Sequence, residues 1–406
     1  MVRRVTQKVD SEVMIRVNRR IILQLIRQKH LISRAELVKF TGLAAPTVSR
    51  IVDRLVNDEN LVRYGRIGDS SGGRPPVILE FNSKGKHVLG IDLGATLIRG
   101  VMADLDAEIE MEVQLQTDIE QGYQAVVNQV VAVTERLLAK RGLDTDKVIG
   151  VGIGVPGLLD KAKRMVTFSS AFNWNNVKFK EDLEARIKMP IFVENSTRLM
   201  ALGEKTFGQG KDLRNFIIVN AGHGIAAGTV VEGQLSHGGQ GFSGEFGHMT
   251  VDPTSPVICD CGRKGCLEAL ASGRSIALAA RQNPDAARSI SELCQVPINR
   301  IEAKTVFEAC RRGDPNALSI CMNAIEYLSI GVANLIHLLD PTHIFIGGGL
   351  SLNGDEFWNP LTDGIRNRLM VPNREVKILP AEFKEYDTVV GSLAMVLDAI
   401  LGLEIG

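Results

Sequence analysis

Three cysteines within eight residues, Cys259, Cys261 and Cys266, with His248 upstream of them, constrain this chain more than any other feature. Three thiolates and one imidazole make a closed tetrahedral zinc site, and glycines at 262 and 265 let the backbone curl so that the sulfurs converge. With four positions filled, no metal-bound water remains. The expected cofactor is therefore one structural Zn2+ per chain, which fixes a loop and hydrolyses nothing. The chain has only six cysteines, a usage unlike that of a disulfide framework. Cys294, Cys310 and Cys321 fall in helical stretches and are expected to be buried thiols. A metal that pins His248 and Cys266 also pins Glu245 and Glu268, which could then present carboxylates to sugar hydroxyls or simply lie at the surface.

At 406 residues and 45% apolar content the sequence reads as two or three packed globular units. No run approaches the roughly 18 uninterrupted apolar residues of a spanning helix, and the start, with Arg3, Arg4, Lys8 and Asp10, has no apolar signal core. A cytoplasmic location without membrane insertion is the expectation. The formal net charge is zero but unevenly divided. Residues 1 to 86 carry 17 basic and 8 acidic side chains, net +9, against 30 and 39 in the remainder, net −9. A cationic head on an anionic body is suited to a polyanionic partner.

The pattern of the head specifies which one. Met14, Val17, Ile21, Ile22, Leu25 and Ile26 fall at helical spacing, after a flexible basic arm over 1–13. Ser33 and Glu36 form a capping box that starts a second helix, which stops at Gly42. Pro46 then occupies a first-turn position, and Val48, Ile51, Val52 and Leu55 line a third helix. Its opposite side presents Ala45, Thr47, Ser49, Arg50 and Arg54, the expected contacts to the major groove of double-stranded operator DNA. Strands over 61–64 and 77–81 enclose a Gly- and Arg-containing loop, a wing whose Arg74 is placed to enter the minor groove. The winged helix-turn-helix is expected over 14–82.

From His87 the chain turns to Gly- and Val-rich strands at 88–93, 97–104 and 108–115, then a helix at 121–141. A similar plan returns with strands at 216–220 and 224–231 and helices at 304–312, 316–339 and 388–400. Two related lobes around a cleft are expected.

These residues resemble the ROK family, named for repressors, open reading frames and sugar kinases. The resemblance covers the whole chain and rests on Gly90 to Thr96, Gly152 to Gly157, Glu194-Asn195, Gly244 to His248, the cysteine block with Glu268, and Ile346 to Gly349. The head with its Gly-Arg-Pro wing is similar to the family's repressor branch, which includes xylose and N-acetylglucosamine repressors. It implies an α/β body of actin-like (sugar kinase, ribonuclease H-like) fold, with a first lobe over 87–195 plus 388–406. A second lobe, over 196–387, would carry the zinc knuckle and an oligomerisation surface. It further implies a homodimer or homotetramer and a sugar or sugar-derivative effector held by Asn195, Glu245, His248 and Glu268. His248 would hold zinc through its other nitrogen.

Family kinases carry an aspartate directly after the asparagine, to accept the proton of the attacking hydroxyl. Here that residue is Ser196, which can hydrogen-bond a sugar but cannot act as a base without an activating partner, and Glu194 should face away along the strand. The phosphate loops are eroded at Ala95, His223 and Ala226, which argues against ATP use. The expectation is a non-catalytic sensor whose sugar modulates a repressor of carbohydrate genes. An active ATP-dependent sugar kinase with a regulatory head, and a body sequestered by a protein antagonist, are the alternatives.

Overall fold

The computed structural model describes residues 11–67, 77–142, 144–160 and 165–402. Arg74, like residues 1–10 of the basic arm, lies outside the described residues.

The head opens with α1 (Ser11–Lys29), whose Ile22, Leu23 and Ile26 are fully buried. A short β1 (Ile32–Ser33) leads into α2 (Arg34–Thr41). There the capping box forms: the Glu36 backbone N–H donates to Ser33 Oγ, and the Ser33 N–H donates to Glu36 Oε2 at 2.8 Å. Gly42 closes α2 in the left-handed region, and α3 (Ala45–Asn57) buries Val48, Ile51, Val52 and Leu55. β2 (Val62–Ile67) and β3 (Val77–Phe81) complete a three-stranded sheet of order β1-β3-β2.

The first lobe contains β4 (His87–Leu93), β5 (Leu97–Asp104), β6 (Ile109–Gln116), α4 (Tyr123–Arg141) and β7 (Val148–Val155). A small sheet follows, of β8 (Leu158–Asp160), β9 (Met165–Ser169) and β10 (Trp174–Val177), then α5 (Phe179–Glu184), β11 (Ile191–Asn195) and α6 (Ser196–Phe207). The main sheet has the order β11-β7-β4-β5-β6, with β4, β5 and β6 antiparallel and β7 and β11 parallel to β4 and to each other.

In the second lobe stand β12 (Phe216–Ala221), β13 (Ile225–Val231) and β14 (Gln234–Leu235), then α7 (Leu267–Ala271), α8 (Gly273–Gln282), α9 (Pro284–Cys294) and α10 (Ala303–Arg311). α11 (Pro315–Leu339), β15 (His343–Gly347), α12 (Asp355–Arg366), β16 (Lys377–Pro380) and α13 (Asp387–Leu401) end the chain. Its sheet, β14-β13-β12-β15-β16, repeats the first: three antiparallel strands and two parallel ones.

α6 and α13 pack on each other, α6 also against β12 and β13, and α13 against β4 and β7. Gly391 permits this crossing, since a Cβ there would lie 1.8 Å from the Leu199 carbonyl oxygen. α11 alone among the described helices has the length and apolarity to cross a membrane, and 56% of its most apolar window is buried in the protein.

Beyond the elements expected from the sequence, the body contains β7, the small sheet β8 to β10, α5 to α9, β14, α12, β15 and β16. Of the three remaining cysteines only Cys321 is fully buried; Cys294, at the last turn of α9, and Cys310 are half-buried.

Candidate functional site

A cleft of about 490 Å3 opens between the two lobes. The turns after β4 (Gly94, Ala95, Thr96) and after β12 (Gly222, His223, Gly224) border it, as do Asn195, Ser196, Glu245, His248 and Glu268. Asn195 ends β11 and caps α6: its side-chain oxygen accepts from the N–H groups of Thr197 and Arg198, and its amide donates to the Gly157 carbonyl at 2.9 Å. One amide hydrogen therefore remains for a ligand. Ser196 follows in the first turn of α6, its Oγ buried and unpartnered.

Glu194 does not line the cleft. Its carboxylate faces His237 Nε2 at 3.1 Å and Arg198 Nε at 3.4 Å, and both oppose the burial that would otherwise raise its pKa. Arg198 in turn donates to the Gly241 carbonyl, tying the loop before Glu245 to α6. No local sequence pattern links positions 194, 198 and 237, so only the tertiary fold brings this fastening together.

On the other wall, Glu268 accepts from the Ile225 N–H at 2.9 Å, which anchors the start of β13. Glu245 is pushed above the ordinary carboxylate range by burial, with the Glu268 carboxylate adding to the effect and His248 and Arg198 opposing it. Two adjacent carboxylates beside an imidazole form an acceptor-rich wall suited to hydroxyl donors.

His248, Cys259, Cys261 and Cys266 are the one group of potential ligands among the described residues whose donor atoms converge, all within 4.8 Å of one another. His248 Nδ1 lies 3.5 Å from Cys259 Sγ, and Cys261 Sγ lies 3.6 Å from Cys266 Sγ. A tetrahedral ion with metal–sulfur bonds of roughly 2.3 Å separates its sulfurs by about 3.8 Å, so the donor set fits a metal of that size. Gly262 and Gly265 take positive φ values of 83° and 69°, as the curled backbone requires. His248 Nε2 faces Glu245 Oε2 at 3.6 Å, so this imidazole joins the metal-ligand cluster to the cleft.

At the cleft floor stand Asp92, Asp387 and Thr388, none of them among the residues expected from the sequence to hold a ligand. Burial drives Asp92 up to about 6, opposed by Arg99 and by a hydrogen bond with Thr388. Asp387 is driven up to about 8 by burial, then by the Glu204 carboxylate. An acid at the start of an otherwise apolar final helix was the available signal.

In the head, Ala45, Arg50 and Arg54 are exposed on α3 and Thr47 and Ser49 half-exposed. Thr47, Ser49, Arg50 and Arg54 border one groove, whereas Ala45 is not among its lining residues. Arg54 also pairs with Glu59 at 3.1 Å. Arg34 on α2 joins Asp53 on α3 at 2.6 Å and the Tyr64 hydroxyl on β2 at 2.9 Å, which braces the wing against the third helix.

A three-helix head with a two-stranded wing, set on two like lobes around a cleft, defines a winged-helix protein with a sugar-kinase-like body. The chain belongs to the ROK family, whose model matches residues 88–399, and a winged helix-turn-helix DNA-binding model matches residues 16–59. It is 30% identical to a putative xylose repressor of Caldicellulosiruptor sp. (strain Rt8B.4) over 386 residues, 95% of this chain and 96% of that one. It is 34% identical to a glucokinase of Thermotoga maritima over 286 residues, 70% of this chain and 88% of that one. A crystal structure of a ROK family transcriptional regulator, a homolog of the E. coli MLC protein, superposes with a TM-score of 0.76 at 26% identity, covering 97% of this chain and 99% of that one. The likeness to the regulators thus includes the head, whereas the glucokinase match covers only 70% of this chain.

Proposed function

We propose that this protein is a sugar-responsive transcriptional repressor: the head binds operator DNA, and a sugar or sugar derivative in the cleft lowers that affinity. Ser196 is the observation that carries the reading. It stands in the cleft directly after Asn195, where a sugar kinase needs a proton acceptor, and its hydroxyl can donate to or accept from a ligand but cannot take a proton as a base near neutral pH. Glu194, the adjacent carboxylate, is held by Arg198 and His237 away from the cleft.

In this reading Asn195, Ser196, Glu245, His248 and Glu268 hold the sugar. Ala45, Thr47, Ser49, Arg50, Arg54 and Arg74 contact DNA. His248, Cys259, Cys261 and Cys266 hold one structural Zn2+, which keeps His248 and Glu245 in place and supplies no reactive water. The functional units are 14–82, 87–195 with 388–406, and 196–387. The protein acts in the cytoplasm as a homodimer or homotetramer, so that two heads meet two half-sites.

Sugar and DNA would oppose each other by one coupling free energy, typically about 1 to 3 kcal/mol. Fluorescence anisotropy on operator DNA, titrated with a panel of pentoses, hexoses and their phosphates, tests this. A full panel without effect on operator affinity refutes small-molecule control. The glucokinase likeness favours a second reading, an ATP-dependent sugar kinase with a regulatory head. Coupled ADP release on the same panel decides between them, and turnover at an ordinary enzymatic rate overturns the sensor.

A further inference from the structure

α13 meets the cleft at one end and the head at the other. Its first residues, Asp387 and Thr388, line the cleft. The Thr388 methyl packs against Gly154 on β7, one turn on Ser392 donates to the Ile91 carbonyl on β4, and Asp387, 3% exposed, keeps Oδ2 without a partner while Oδ1 accepts from the Phe383 N–H. The turn that enters the helix is fastened to the first lobe. Arg99 on β5 donates to the Glu385 carbonyl and lies over the Tyr386 ring at 4.8 Å, and the Tyr386 hydroxyl donates to Glu112 on β6 at 2.9 Å. The helix then runs 15 residues, about 22 Å, through the body core.

Its far end carries the head. Arg20 on α1 donates to the Gly402 carbonyl at 2.5 Å and pairs with Asp398 at 3.2 Å, and Gln24 donates to the same carbonyl at 2.9 Å. Arg19 reaches the Ile400 carbonyl at 3.5 Å. Arginines set against the terminal carbonyls of a helix satisfy acceptors that the helix leaves open and complement its dipole. Beneath them, Ile22, Leu23 and Ile26 share one apolar core with Leu393, Leu397 and Leu401. From Arg19 the polar contacts continue into the DNA-reading helix: Arg19 Nε donates to Glu59 at 2.9 Å, and Glu59 pairs with Arg54 on α3. A side chain expected to meet DNA is thus three contacts away from Ile400, at the end of α13 remote from the cleft.

We propose that α13 is the element through which the cleft sets the position of the DNA-binding head, with Asp387 and Thr388 as its input and Arg19, Arg20 and Gln24 as its output. The inference rests on the sensor reading above for its ligand, but the coupling itself is a property of the unliganded chain. A cleft occupant that takes a hydrogen bond from Thr388, or gives one to Asp387, shifts the start of a rigid helix that has little room to bend between α6, β4 and β7. The change is then delivered where α1 is moored.

Hydrogen exchange on the full-length protein tests this without a ligand. Thr388→Val removes the hydroxyl at the cleft and keeps the side-chain shape. It is expected to speed exchange of the amides of residues 19–26 by about threefold or more. Ser329→Ala, which removes a buried hydroxyl from α11 in the second lobe, is expected to leave them unchanged. Equal effects of the two variants, or none from Thr388→Val, overturn the proposal. A second arm uses D-xylose and D-glucose. A sugar that raises the melting temperature should lower operator affinity in the native protein, and the Arg20→Ala/Gln24→Ala variant should keep the melting shift while losing the DNA response. An intact DNA response in that variant also overturns the proposal. If neither sugar nor any other panel member binds, the sensor reading fails, while the exchange arm still decides on α13.

Discussion

His248 and Cys259 face each other, Nδ1 to Sγ, at 3.5 Å, while the other nitrogen of the same imidazole looks toward Glu245. The ring therefore has one side for the metal cluster and one for the cleft. Cys266→Ala is expected to lower zinc content, read by elemental mass spectrometry, from one ion per chain to almost none. The same variant should lose the melting shift produced by the effector sugar, because His248 and Glu245 lose their anchor. Retained sugar binding in a zinc-free protein would separate the two functions.

Glu245 and Glu268 are expected to accept hydrogen bonds from ligand hydroxyls. Glu245→Gln keeps the shape and removes the charge, so the effector affinity should fall by about tenfold or more, the usual worth of a hydrogen bond to a charged group. Operator affinity without sugar should stay unchanged, since the residue lies in the cleft and not in the head. Isothermal titration and anisotropy read the two quantities separately.

On α3, Arg50 projects from the face opposite the buried stripe. Arg50→Ala is expected to weaken operator binding by about 1 to 3 kcal/mol if it reads a base, with relaxed preference at one base pair. A uniform loss across sequences, with a salt slope reduced by about one, would assign it to phosphate instead.

The cleft floor makes stability depend on pH in a definite direction. Asp387 sits at about 8 and Asp92 at about 6, both above the ordinary carboxylate range, so the folded state holds their protons more tightly than the unfolded chain does. Their stabilising contribution is complete below the ordinary carboxylate value and is lost as pH rises through 6 and then 8. The melting temperature should therefore decline from about pH 4 to pH 8, more steeply below pH 6, where both groups contribute. Asp387→Asn, which stays neutral, should flatten the upper part of that decline; an unchanged slope would show that Asp387 is ionised throughout.

Much of this molecule is written in local pattern. The capping box at Ser33, the stop at Gly42 and the apolar stripe of α3 each lie within a few residues, and each forms as its chemistry requires. The metal-ligand cluster is equally local. By contrast, β8 to β10 are strands of three to five residues, too short for an alternating pattern to stand out from loop. Arg34 with Asp53 and Tyr64, or Glu194 with His237, unite positions whose pairing only the tertiary fold decides. Asp387 and Thr388 escaped notice for a similar reason: a polar residue opening an apolar helix reads as an ordinary helix start until the fold shows what it borders.

The contacts of Arg20 and Gln24 with Gly402 span about the whole length of the chain. During synthesis the first helix leaves the ribosome long before Gly402 is made, so these contacts, and the orientation they give the head, can form only after residue 402 has emerged. A prematurely terminated product ending before residue 387 would carry the DNA-reading surface without the bearing that aims it.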